Sequence, residues 1–183
     1  MFSNKIIKMK LLNIKLLTLF ATAFLLCSII AFSKTVFIGN QSSSSINFTG
    51  FNPAYKYCSS EFIIDASEIN DSGKIKSVSF YKTTNDSLIT TIDSISIYIK
   101  ETDSNTIGNF ASTSGYVKVF NGSILCNPED TWISLPFSSF FVYSGSKNIS
   151  ILIVRNNGTK RTSNLPGFSV SYDAKKNFSA AYF

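Results

Sequence analysis

The residues that could do chemistry in this chain are few, and one absence narrows them first. Histidine is missing altogether, which removes the usual Ser-His-Asp and Cys-His machinery and any His-ligated zinc. Carboxylates are the remaining acid–base groups. Glu61, Glu68, Glu101, Glu129 and Asp130 could work in pairs, as a general acid and its partner do in glycoside hydrolysis. Nothing in their spacing brings two together, so solvated strand-edge and loop charges are the plainer reading. Asp65, Glu68, Asn70 and Asp71 gather oxygen ligands around one turn, as a loop Ca²⁺ site would. They lack the alternating order and closing bidentate acid of an EF-hand, and a capped turn is the plainer reading. No other cofactor is expected.

Aromatic side chains give the second chemistry. Tyr55, Tyr57, Tyr116 and Tyr143 fall at strand ends or in loops, where they could meet a ligand such as a glycan. Trp132 is the single tryptophan and alternates with Ser134 along a strand. It is either a binding platform or a core residue, since an indole brings a large apolar body with one polar group. The third chemistry is sulfur. Cys58 and Cys126 are the cysteines outside the N-terminal segment. They could form a disulfide in an oxidising compartment, closing a loop worth about 4 kcal/mol in the chain-entropy picture, or stay as separate buried thiols.

The elements that must position these groups read as strands. Lys76-Ser-Val-Ser-Phe-Tyr81, Ile95-Ser-Ile-Tyr-Ile99 and Asn148-Ile-Ser-Ile-Leu-Ile-Val154 alternate apolar residues with serine or other polar ones. That period of two puts one face in a core and the other in water. Strands are expected at 35–38, 59–64, 74–82, 92–101, 116–121, 132–137, 149–155 and 168–172. A short helical turn, capped by Asp65 or Ser67, fits between 65 and 69. Asn70-Asp-Ser-Gly73 is a turn signal. The expected fold is all-β, an antiparallel two-sheet sandwich with a jelly-roll-like strand order. A membrane β-barrel fits poorly, because alternate positions near the end (Lys175, Asn177, Ser179) are polar where a lipid face would be apolar.

The first 33 residues read as a signal peptide. Lys5, Lys8, Lys10 and Lys15 precede an apolar run from Leu16 to Ile30, and Ala31-Phe-Ser33 offers small residues for cleavage. Residues 34–58 are expected to be a polar leader with one strand, and 59–183 the sandwich domain. The formal charge of +6 includes those four lysines; without them 13 basic face 11 acidic side chains, a net +2. So mild a charge gives no reason to expect nucleic acid as a partner. The expected location is extracytoplasmic in a bacterium: secreted, periplasmic or on the cell surface. Membrane contact is expected only through the signal segment, were it retained as an anchor.

Several motifs then recur in a telling order: Ala66-Ser-Glu-Ile69, Gly73, Ile75-Lys-Ser-Val-Ser-Phe-Tyr81, Ile95-Ser-Ile-Tyr-Ile99 with Thr102, Val119-Phe-Asn-Gly122, Trp132-Ile-Ser-Leu-Pro-Phe137, Gly145 and Asn148-Ile-Ser-Ile-Leu-Ile-Val154. In this order the chain resembles a family of β-sandwich domains in exported surface proteins of Bacteroidetes, which accompany adhesins, surface proteases and type IX secretion substrates. The resemblance implies a secreted sandwich and places Trp132 in its scaffold. The function expected is surface contact: adhesion, or binding of a protein or glycan, without catalysis. The alternatives are a structural envelope component and a carboxylate-based carbohydrate-active enzyme.

Overall fold

The computed structural model describes residues 33–38, 51–82, 89–107, 112–160 and 178–182, together with Lys15. The chain divides into two units, Met1–Val36 and Phe37–Phe183, and the second carries the strands. These are β1 (Tyr57–Ile64), β2 (Gly73–Tyr81), β3 (Thr90–Thr102), β4 (Val117–Cys126), β5 (Trp132–Tyr143), β6 (Asn148–Asn156) and β7 (Phe178–Tyr182), with one helical turn, α1 (Ala66–Ile69), between β1 and β2. They form two antiparallel sheets, β4-β3-β6-β1-β7 and β2-β5.

The pairing nests. β3 joins β4, β2 joins β5 and β1 joins β6, so a folded ribbon of the first six strands winds across both layers as a jelly roll does. Successive strands run in opposite directions, and this sorts their ends into two groups. One end of the sandwich collects the close of β2, β4 and β6 and the start of β1, β3 and β5. The other collects α1 and the β5–β6 turn.

The core fills the space between the sheets. β3, β4 and β6 contribute Ile92, Ile95, Ile97, Ile99, Val119, Ile124, Ile149, Ile151 and Ile153, and β5 contributes Ile133, Leu135, Phe141 and Tyr143. β-Branched isoleucines suit this position because their stiff side chains pack well on a pleated surface. Ile92 and Ile95 are three residues apart yet both buried. Strict alternation would put them on opposite faces. A bulge between them, with Ser94 at φ 60°, inserts the extra residue that returns Ile95, Ile97 and Ile99 to the core. β5 is interrupted on a larger scale, for its pairing with β2 jumps from Pro136 to Phe141 while β2 advances only from Ser77 to Ile75. Within this excursion Ser138 Oγ donates to the Val119 carbonyl of β4 at 3.1 Å, a polar stitch from the small sheet to the large one.

One expected strand is not formed, and one residue of the expected leader packs in the core: Phe51 is fully buried and stacks edge-on against Phe80 with centroids 4.8 Å apart. A polar leader thus supplies a core ring. Thr35–Ile38 is not a strand. The strand expected at 168–172 lies outside the described residues, as does the signal segment except for Lys15 and Ser33. Among the described residues, no helix is long and apolar enough to cross a membrane.

Candidate functional site

The exposed aromatic cluster sits where β2 ends and β5 begins. Tyr81 pairs with Trp132 across the ladder, and their rings meet edge to face, centroids 5.3 Å apart at 69°. Phe37 adds a third ring, 5.8 Å from Trp132 at 67°. Trp132 remains 38% exposed and Phe37 69%. Burial along β5 alternates strictly from Trp132 through Pro136. Ile133 and Leu135 therefore turn inward while Trp132 and Ser134 turn outward, and Ser134 pairs with Ser79. The resemblance implies a scaffold tryptophan; its parity with Ser134 places it at the rim, facing water. Aromatic pairs of this geometry are worth about 0.5–1.5 kcal/mol beyond their buried area, which favours the three rings lying together.

The other aromatic candidates do not gather around it. Tyr55 and Tyr57 are exposed at 39% and 43% and precede or open β1, at the same end of the sandwich. Tyr143 is a correction: it is buried, and its hydroxyl donates to the Lys147 carbonyl at 2.7 Å, closing the β5–β6 turn. Burial, with Glu101 adding to it, pushes that phenol's pKa up. Tyr116 is half-buried, and its hydroxyl is held by protein groups. Its hydroxyl lies 2.5 Å from Glu61 Oε1 and 2.7 Å from Ser150 Oγ, and Ser150 donates to the same carboxylate oxygen at 2.7 Å.

This Glu61–Tyr116–Ser150 group is the nearest approach to a catalytic constellation among the described residues, and the spacing of the carboxylates gives no hint of it. In place of a solvated edge charge, Glu61 is buried, and Ser150 is fully buried beside it. The two residues sit on adjacent strands of one sheet face, where Ile63 opposes Ser150 and Glu61 opposes Leu152. Tyr116 reaches them from just before β4, and Lys100 Nζ lies over its ring at 4.3 Å. Desolvation raises the Tyr116 pKa strongly, and the hydrogen bond to Glu61 raises it further. The phenol therefore stays protonated and donates. The group satisfies a buried carboxylate, and its hydroxyls are committed to that task.

The oxygen-rich turn is likewise occupied by local bonds. Glu68 Oε2 accepts the Asp65 amide at 3.2 Å, Asp71 Oδ1 accepts the Ser72 amide at 2.8 Å, and Asn70 takes the left-handed conformation that ends α1. Asn70, Asp71 and Ser72 face Ser144 and Gly145 across an open polar notch of about 470 Å³. Among the described residues no three His, Cys, Asp or Glu side chains gather as metal ligands do.

The sheet order decides between the two readings of the cysteines in favour of separate buried thiols. Cys58 on β1 and Cys126 on β4 belong to one sheet, with β6 and β3 between them. Three inter-strand steps put their backbones about 14 Å apart, beyond the roughly 7 Å that a disulfide spans. Cys58 is a buried thiol whose Sγ lies 3.6 Å from the Asn52 carbonyl. Burial pushes its pKa up to about 11, with Arg155 and the Asn52 bond opposing.

Two cations are buried at the same end of the sandwich as the aromatic cluster, again without warning from the sequence. The Arg155 guanidinium donates to the carbonyls of Tyr55 and Thr159. Lys82 is 4% exposed, and its Nζ donates to the carbonyls of Asn127 and Pro128. No known family, curated protein or solved structure matches this chain.

Proposed function

We propose that this chain is an exported, non-enzymatic β-sandwich that works by surface contact, binding a glycan or protein outside the cell through the Phe37–Trp132–Tyr81 patch. One observation carries the reading: an indole is held at the protein surface by two further rings, on a strand face whose next outward residues are serines. Exposing such a ring forgoes burial worth about 25 cal/mol per Å², and contact with a partner recovers it. Rings beside hydroxyls suit a sugar face or an extended polar chain better than a charged polymer. The lysine-rich N-terminal segment and the resemblance of its ordered motifs to those of surface-protein sandwiches support the extracytoplasmic setting. The want of histidine supports binding over catalysis.

Because Trp132 is the sole tryptophan, its fluorescence reports on the patch and nothing else. Titration with a panel of glycans is expected to give a saturable emission change. Calorimetric titration with glycans and extracellular matrix proteins is expected to give saturable binding that is lost in Trp132→Ala when circular dichroism shows the fold intact. A panel that leaves the emission unmoved, or that binds Trp132→Ala as tightly as the wild type, would refute the assignment.

A further inference from the structure

We propose that Lys82 and Asn127 are the partners of an intramolecular amide cross-link, formed without any enzyme and joining the end of β2 to the β4–β5 turn. Lys82 is the one buried lysine among the described residues. A lone ammonium is costly to bury, and here main-chain carbonyls hold it. One of those carbonyls is that of Asn127, whose side-chain carboxamide carbon is only two bonds from the same Cα. The Asn127 Nδ2 donates to Asp130 Oδ2 at 2.8 Å. The Asp130 carboxylate also accepts the Asn127 main-chain amide at 3.3 Å. The amine thus rests on the backbone of Asn127, and the Asp130 carboxylate touches the nitrogen that the Asn127 carboxamide would lose. The Lys82 amide donates to the Thr131 carbonyl at 2.8 Å and fixes the lysine backbone against the same turn.

The chemistry closes on these groups. The Lys82 amine, once it has given up a proton, attacks Asn127 Cγ; the Nζ–Cγ bond forms and the Cγ–Nδ2 bond breaks. The departing Nδ2 takes up the two protons that Nζ sheds and leaves as ammonium, and the Asp130 carboxylate holds that nitrogen through its Oδ2 contact. The net change turns a lysine ammonium and a carboxamide into a secondary amide and ammonium, with no oxidant, metal or cofactor. Folding supplies the effective concentration that lets an amine attack an otherwise inert amide. The product would tie the small sheet to the edge strand of the large one across 45 residues of chain, near the end that bears the aromatic patch. A pull on that patch would then meet a covalent bond.

Intact mass spectrometry of the purified, folded full chain tests this directly. The expected mass is lower by one ammonia, about 17 Da, than that calculated from the determined N-terminus. Digestion should yield one branched peptide holding Lys82 and Asn127, with no tryptic cleavage after Lys82. Succinimides at Asn121-Gly122 and Asn157-Gly158 would lose the same mass but open on mild alkaline treatment, which the amide survives. Asp130→Asn is expected to restore the full mass. A folded wild-type chain that keeps its full mass after prolonged incubation at neutral pH overturns the proposal, and so does a deficit that maps to either Asn-Gly pair.

Discussion

Gly145 couples two turns that are distant in sequence, and its replacement by alanine is a quantitative test of the packing. At φ +83° the residue occupies left-handed backbone, where a Cβ costs about 1 kcal/mol. A Cβ placed there would also stand 2.8 Å from Ser72 Cβ and 2.9 Å from the Asp71 carbonyl oxygen. The second contact is to main chain, which cannot rotate away as a long side chain would. Overpacking of this kind costs about 1–3 kcal/mol, so Gly145→Ala should lose roughly 2–4 kcal/mol in all. Gly115 supplies the control. It has nearly the same φ, +78°, and a methyl added there would meet nothing within 4 Å, so Gly115→Ala should lose only the backbone part, about 1 kcal/mol. Differential scanning calorimetry reads both. In a domain of this size 1 kcal/mol is roughly 3–5 °C, so Tm should fall by about 4 °C for Gly115→Ala and by roughly 8–16 °C for Gly145→Ala. Equal losses would show that Gly145 does not press against Asp71 and Ser72.

Two further outcomes follow from burial. Phe51→Ala should destabilise the protein by about 3–5 kcal/mol in urea unfolding, because the ring is fully enclosed; a loss below about 1 kcal/mol would return residues before 59 to the role of a polar leader. The Cys58 thiol has a sign that can be worked out. Its folded pKa of about 11 stands above the ordinary 9.0, so below pH 9 the thiol is neutral in both states and its contribution is fully present. As pH rises from about 9 to 11 the unfolded chain sheds the proton first, and stability should fall by about 2–3 kcal/mol. Urea midpoints across that window should fall less steeply in Cys58→Ala; identical slopes would show that burial does not hold the thiol neutral.

The strands and their inward faces are legible in the residues because β-structure writes itself with a period of two. Ile95-Ser-Ile-Tyr-Ile99 and Ile149 to Val154 alternate as a half-buried strand must, and the sandwich follows from several such strands separated by turn formers. Even the exposure of Trp132 is encoded, in its shared parity with Ser134. The resemblance to a scaffold tryptophan points the other way, and position at the rim decides the matter. Phe51 is harder to read, since isolated rings at Phe48 and Phe51 beyond Gln41-Ser-Ser-Ser-Ser45 carry no periodic signal.

Sequence alone thus determined that this chain is all-β, which residues of each strand share a face, and that histidine chemistry is closed to it. Tertiary structure alone decided which strands are neighbours. Alternation is blind to strand order, so it could not say that β6 and β3 separate Cys58 from Cys126, or that Glu61 and Ser150 lie side by side beneath Tyr116. Nor could it foresee the bulge at Ser94, because one inserted residue reverses parity without leaving a pattern of its own. The buried Lys82 is the plainest case. Its partners are main-chain carbonyls 45 and 46 residues away, and only the winding of β2 against the β4–β5 turn brings them within reach.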